Sequence, residues 1–278
     1  MLYRTVVGSI PSVLRVKRII REFQPDVVIT DADPICHYAA HSVKGLPRIS
    51  IDNPHAMVYR TYKVGWSQLL PWFVLVVATR IGMMGADKYI VYDFSDEPST
   101  TPQVIFIKPL IQEGIQQQKS RQGRHVFVYQ TIGVDSSSLE ALKQVDATFI
   151  IYGFNKEEKH GNLVFKRFNE HEFYHDIAEA KAVITNGGFT VISEALYLKK
   201  SVLSLPIKNQ FEQVLNGMFV KQLGVGEYHL KVDAETVQSF LSRLPQYQQQ
   251  LDQYTPGNQQ QLLQRIEQEI LATVKQSS

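Results

Sequence analysis

The residues whose types and spacing could do chemistry are concentrated in 182–228, AVITNGGFTVISEALYLKKSVLSLPIKNQFEQVLNGMFVKQLGVGEY. An apolar strand ends at Thr185, Asn186, Gly187 and Gly188 form a turn, and a helix opens near Thr190. Glycines let the backbone approach a ligand closely. The free N–H groups and the dipole of a helix start favour an anion such as a diphosphate. Glu194 follows Thr190 by one helical turn, so both face the same side. A carboxylate there can accept two hydroxyl hydrogen bonds, which suits a vicinal diol such as that of a ribose. Lys199 and Lys200 close the helix at its negative end. After the next strand come Pro206 and then Glu212, Gln213 and Asn216, early in another helix. Polar residues near the carboxyl end of a parallel strand stand where α/β proteins bind ligands. Each feature also has a plain structural alternative. Gly-Gly alone is an ordinary turn, and Glu212 suits the dipole of a solvated first turn.

The elements needed to hold these residues are those of a parallel α/β protein. Residues 13–23 have apolar positions at helical spacing, ended by Pro25, and 26–30 reads as a buried strand followed by Asp31 and Asp33. A helix over 35–43 stops at Gly45, and Pro47 leads into a strand over 48–51. Asp52, Asn53 and His55 sit just past its end. A long helix is expected over 67–85 and a strand over 88–92. Residues 99–102 are turn-rich and 112–123 are polar with repeated Gln, which puts the domain linker there. A second α/β run follows, with strands at 125–129, 148–152, 163–166, 182–185 and 202–205. Its helices fall at 137–145, 173–180, 191–199 and 211–223. The tail from 233 is helical and Gln-rich, broken at Pro256 and Gly257. The expected division is 1–108, 109–255 and a C-terminal helix at 256–278.

Composition narrows the function. The 278 residues carry a net charge of +2, with 44% hydrophobic and 20% charged residues. A packed core is therefore expected, and no Lys/Arg block argues for nucleic acid. Cys36 is the single cysteine, so neither an internal disulfide nor a multi-cysteine metal site is available. A reducing, cytoplasmic compartment fits, and the N-terminus lacks the apolar core of a signal peptide.

NGGFTVISEAL followed by PIKNQFEQVLNG resembles the donor-binding signature of the GT-B superfamily of glycosyltransferases. It is similar to the UDP-glycosyltransferases, to the lipid II N-acetylglucosamine transferase, and most of all to a bacterial and archaeal branch of that superfamily. The resemblance covers most of 124–228 and implies a GT-B fold, two Rossmann-like domains facing a cleft. It implies that Gly187, Gly188 and Thr190 bind the diphosphate, with Asn186 beside them where the family usually has His or Arg, and that Glu194 binds the ribose. Glu212 and Gln213 match the pair that reads sugar hydroxyls, and Asn216 matches the Asn after it. Phe168 matches a loop aromatic whose neighbouring backbone meets the uracil. The loop with Thr131 and Gly133 would face the phosphates. The implied reaction is inverting transfer from a nucleotide sugar, a UDP-sugar, to a hydroxyl acceptor, with no cofactor and no metal. Asp31–Asp33 has Asp-X-Asp spacing but lies in the wrong domain for the donor.

A weaker likeness covers PDVVITDADP and GLPRISIDNPH, where His55, Asp52 and Asp33 would border the cleft as candidates for the catalytic base. The family opens on a strand and a Gly-rich loop, and this chain does not. Its N-terminal domain is therefore expected to be incomplete, as in a truncated, split or decayed enzyme. Two alternatives are a nucleotide-sugar-binding protein or subunit without catalysis, and a nucleotide-sugar 2-epimerase. Finally, 65–78, from Gly65 to Ala78, is unusually apolar, with Trp66, Trp72 and Phe73 and basic residues on its flanks. It reads either as a packed helix or as a peripheral membrane contact on the inner face of the cytoplasmic membrane. The second reading suits a lipid-linked or cell-envelope acceptor.

Overall fold

The apolar runs that alternate with helical segments become two separate sheets. The computed structural model describes residues 2–61, 64–95, 97–130, 136–208 and 210–277. The chain divides into one unit of 1–109 with 257–278 and another of 110–256.

The first unit opens with α1 (Leu2–Phe23), which begins well before residue 13 and contains Pro11. It continues through β1 (Val28–Thr30), α2 (Pro34–His41), β2 (Arg48–Asp52) and α3 (Ala56–Tyr59). A 3-10 turn at Trp66–Gln68 leads into α4 (Leu69–Gly82), and β3 (Lys88–Tyr92) and β4 (Val104–Ile107) follow. The four strands lie in the order β1-β2-β3-β4, and every pairing is parallel. Parallel neighbours need a crossover, and here helices or a long loop supply it. β4 was not expected; its four residues fall in a region whose turn residues mask them.

The second unit contains α5 (Glu113–Gln116), β5 (His125–Tyr129), α6 (Ser136–Lys143), β6 (Thr148–Tyr152), β7 (Glu158–His160) and β8 (Leu163–Phe165). It continues with α7 (Glu170–Ala178), β9 (Ala182–Thr185), α8 (Phe189–Tyr197), β10 (Ser201–Ser204), α9 (Phe211–Gln222) and β11 (Gly226–Tyr228). α10 (Ala234–Ser242) and α11 (Leu244–Gln253) complete it, and α12 (Gln259–Ser277) belongs to the first unit. The strand order is β11-β10-β9-β5-β6-β8-β7, parallel except that β7 runs antiparallel to β8. β5 lies between β6 and β9, so the chain winds outward in both directions from the β5/β9 boundary. That reversal is the topological switch point, where doubly wound sheets bind ligands beyond the strands' carboxyl ends.

β7 and β11 escaped the reading of the sequence for different reasons. All three residues of β7 are polar and exposed, so it carries no apolar signal. β11 is only three residues, and its entry requires Gly226. A Cβ there would stand 1.9 Å from the Val202 carbonyl oxygen.

Alternation along the strands distributes the cores. In the first unit Tyr89 and Val91 pack with Ala56, Ala86 and Val104. Ile49, Ile90 and Ile107 point the other way, against Leu262, Ile266 and Ile270 of α12. These three recur every four residues, one stripe of the helix. A Lys88–Glu269 ion pair at 2.7 Å adds to this seam. In the second unit Val126, Val128, Phe149, Ile151, Ile184 and Leu203 form a core closed by Val237, Phe240 and Tyr247 of α10 and α11.

Candidate functional site

β9 delivers the Asn-Gly-Gly turn to the switch point. Gly187 has φ +89°, and a Cβ there would lie 2.6 Å from the Gln213 carbonyl oxygen and 2.7 Å from Ser204 Oγ. Both the backbone conformation and the close approach demand glycine. Gly188 occupies the N-cap position of α8 and supplies no side-chain cap to the helix's first N–H groups. A helix start with a glycine N-cap, at the carboxyl end of a central strand, is suited to an anion.

Glu194 is only 3% exposed, and no described residue donates a hydrogen bond to its carboxylate. Burial pushes its pKa up to about 7. A buried carboxylate left without donors is costly unless something else supplies them. Thr190, one turn earlier, is exposed.

The turn is tied to the next crossover. Asn216 Nδ2 donates to the Gly187 carbonyl at 2.9 Å, and Gln213 Oε1 accepts from the Ile207 N–H at 2.9 Å. Asn216 is buried, so its amide braces the turn. Glu212 is exposed at the start of α9. Asn186 is buried and donates from Nδ2 to the Leu205 carbonyl at 3.3 Å. Phe168 stands 65% exposed on the loop after β8, its ring 5.4 Å from that of Phe173. Thr131 and Gly133 lie outside the described residues.

Two polar residues at this end of the sheet were missed. Gln130, directly after β5, is fully buried, and neither end of its amide has a partner among the described residues. Ser204 ends β10 and its buried hydroxyl is likewise unpaired, wedged against Gly187 and Gly217. Nothing in the sequence singles them out, because one polar residue after an apolar strand reads as the start of a loop.

In the first unit the candidate bases separate. Asp33 is the N-cap of α2: its Oδ1 accepts from the Ile35 N–H at 2.7 Å and the Cys36 N–H at 3.2 Å. That gives its carboxylate a structural task. Asp52 and His55 form a buried pair, Oδ2 to Nδ1 at 2.7 Å, with Ser50 Oγ donating to the same carboxylate at 2.5 Å. The His55 ring lies against Tyr89 and Tyr59, at centroid distances of 4.6 and 5.9 Å. His55 is 1% exposed. Asp31, after β1, is exposed, and partial burial followed by the nearby Asp52 charge raises its pKa above the usual carboxylate value. Among the described residues, no group of three or more His, Cys, Asp or Glu could hold a metal ion.

The Gly187 turn, the start of α8 and the buried Glu194 thus lie together at the switch point of a doubly wound sheet. Residues 4–245 match the model of Glycosyl transferase family 1, and the chain belongs to that family. A comparison with curated proteins finds no match. Among solved structures, LpCGTa in complex with UDP is similar over 95% of this chain and 80% of its own, with a TM-score of 0.69 and 13% identity. Phytolacca americana UGT2, complexed with UDP-2fluoro-glucose and pterostilbene, is similar over 91% and 77%, with a TM-score of 0.64 and 12% identity. The glycosyltransferase VinC in complex with dTDP is similar over 95% and 75%, with a TM-score of 0.61 and 14% identity. The protein is a glycosyltransferase, and its fold is GT-B.

Proposed function

We propose that the chain transfers a sugar from a UDP-sugar to a hydroxyl acceptor, with inversion and without a required metal ion. The observation that carries this reading is Glu194: a buried carboxylate without donors among the described residues, one turn into a helix whose Gly188 N-cap makes no side-chain cap, at the switch point. The helix start would hold the diphosphate and stabilise it as it leaves, and Glu194 would accept both ribose hydroxyls. Two of the similar structures are complexes with UDP or a UDP-sugar, and a third is a complex with dTDP. dTDP carries a deoxyribose, which has no 2′-hydroxyl to give to such a carboxylate.

Titration of UDP and dTDP by calorimetry tests this. UDP should bind more tightly than dTDP, and Glu194→Ala should cost UDP about 1.5–3 kcal/mol. Equal UDP affinity in wild type and variant would remove Glu194 from the site.

For the proton acceptor we propose Asp31. Its exposure suits contact with an acceptor hydroxyl, and partial burial, with the neighbouring Asp52 charge adding to it, raises its pKa and strengthens it as a base. His55, nearly inaccessible and held by Asp52, would act as a positioning residue. Asp31→Asn should lower kcat by about a hundredfold or more while leaving UDP affinity unchanged. A larger loss in His55→Ala than in Asp31→Asn would reverse the two roles.

A further inference from the structure

The helix α4 carries two apolar faces, and only one is packed. Thr79 on the helix and Met83 just after it are buried. On the opposite side Leu70, Phe73, Val74 and Ile81 recur at i, i+3, i+4 and i+11, and they are 72, 58, 58 and 58% exposed. Trp66 extends this stripe before the helix at 92% exposure, and Met84 extends it beyond at 64%. A helix that shows water such a stripe is missing a partner.

Charge around the stripe says what the partner is. α4 lies beside α2: the His37 ring donates to the Met84 carbonyl at 2.9 Å, and the Tyr38 hydroxyl to that of Ile81. α2 in turn packs on α1. These three helices carry Arg4, Arg15, Lys17, Arg18, Arg21 and Arg80, with Glu22 as their only acid. Arg15, Arg18, Arg21 and Arg80 are exposed. α1 also exposes Ile10 and Leu14, 54 and 61%. An apolar stripe with an aromatic at its end and a basic, acid-poor surround complements an anionic bilayer surface. At about 1.5 Å per residue the 14-residue α4 spans about 21 Å, short of a bilayer core of about 30 Å. No helix among the described residues is long and apolar enough to cross a membrane.

We propose that the enzyme docks on anionic lipid bilayers through α4, lying flat with Leu70, Phe73, Val74 and Ile81 among the acyl chains and the bases of α1 over the headgroups. This docking does not depend on the donor assignment, since α4 and the Gly187 turn belong to different units.

Vesicle flotation tests it, with phosphatidylcholine alone and with phosphatidylcholine:phosphatidylglycerol at 7:3. The wild type should float with the mixed vesicles and lose most of that binding in high salt. Phe73→Glu/Val74→Glu should weaken binding at least about tenfold, and Arg15→Gln or Arg21→Gln by roughly fivefold each. Unchanged far-ultraviolet circular dichroism and an unchanged urea unfolding midpoint of the first unit would show that the variants are folded. If a variant fails that control, quenching of Trp66 fluorescence by brominated lipid, in a Trp72→Phe background, reads the same contact without altering the stripe. A wild type that ignores both vesicles, or a double variant that floats like wild type, would overturn the proposal. So would a wild type that does not float but self-associates until Phe73→Glu/Val74→Glu makes it monomeric, because the stripe would then join two copies of the chain.

Discussion

At the scale of single residues, Glu194 ties stability to pH at the proposed donor site. Its pKa rises from an ordinary 4.5 to about 7 on folding because burial disfavours the carboxylate. The folded state therefore holds an extra proton between those values. Stability from this group is present in full below 4.5 and is lost as pH rises through about 7. Glu194→Gln removes the penalty, so the variant should gain on the order of 3 kcal/mol over wild type at pH 8 and little at pH 4.5. Urea denaturation at the two values measures it, and a gain independent of pH would refute the ionisation account. Gly187 is the second residue on which the site depends. Gly187→Ala forces a side chain to φ +89° and into the Gln213 carbonyl. It should cost about 1–3 kcal/mol and weaken UDP binding together with stability.

Elements place these residues, and α12 places a whole sheet face. Ile266 sits mid-stripe on α12 beside Leu262 and Ile270, covering Ile49, Ile90 and Ile107. Ile266→Asp puts a charge into that seam and should destabilise the first unit by about 1–3 kcal/mol. The expected readout is early proteolysis of 1–109 while 110–256 stays resistant. Equal proteolysis of both units would show that α12 supports more than the sheet it packs on. Sequence patterning indicated a helical, Gln-rich tail broken at Pro256 and Gly257, and the structure shows the apolar stripe of its last helix. The sequence carried no sign of the partner, since a stripe names a face without saying what covers it.

For the whole molecule the two units have separate cores and separate sheets. A ligand that binds the native state of one unit stabilises that unit by mass action. UDP should therefore raise the melting transition of 110–256, by about 2.7 kcal/mol at a hundred times its dissociation constant. Differential scanning calorimetry with and without UDP is the check.

Much of the local geometry of the candidate site was legible in advance because its signals are local. A turn needing glycine, a helix opening after it and a carboxylate one turn on are fixed by chain neighbours, and Gly187, Gly188, Thr190 and Glu194 stand in that relation in the structure. The parallel α/β character was legible too, since buried strands and amphipathic helices each have their own period. Other features arise between segments far apart in the chain, and only the tertiary structure decided them. Strand order brings β5 beside β9 and makes a switch point there. Packing buries Glu194 and leaves the side chains of Gln130 and Ser204 without hydrogen-bond partners among the described residues. It makes Asn216 a brace for the turn, assigns Asp33 to a helix cap and leaves Asp31 exposed beside Asp52. The physical reason is the same throughout. Backbone conformation responds to sequence neighbours, whereas burial and hydrogen-bond partners depend on what the fold brings near.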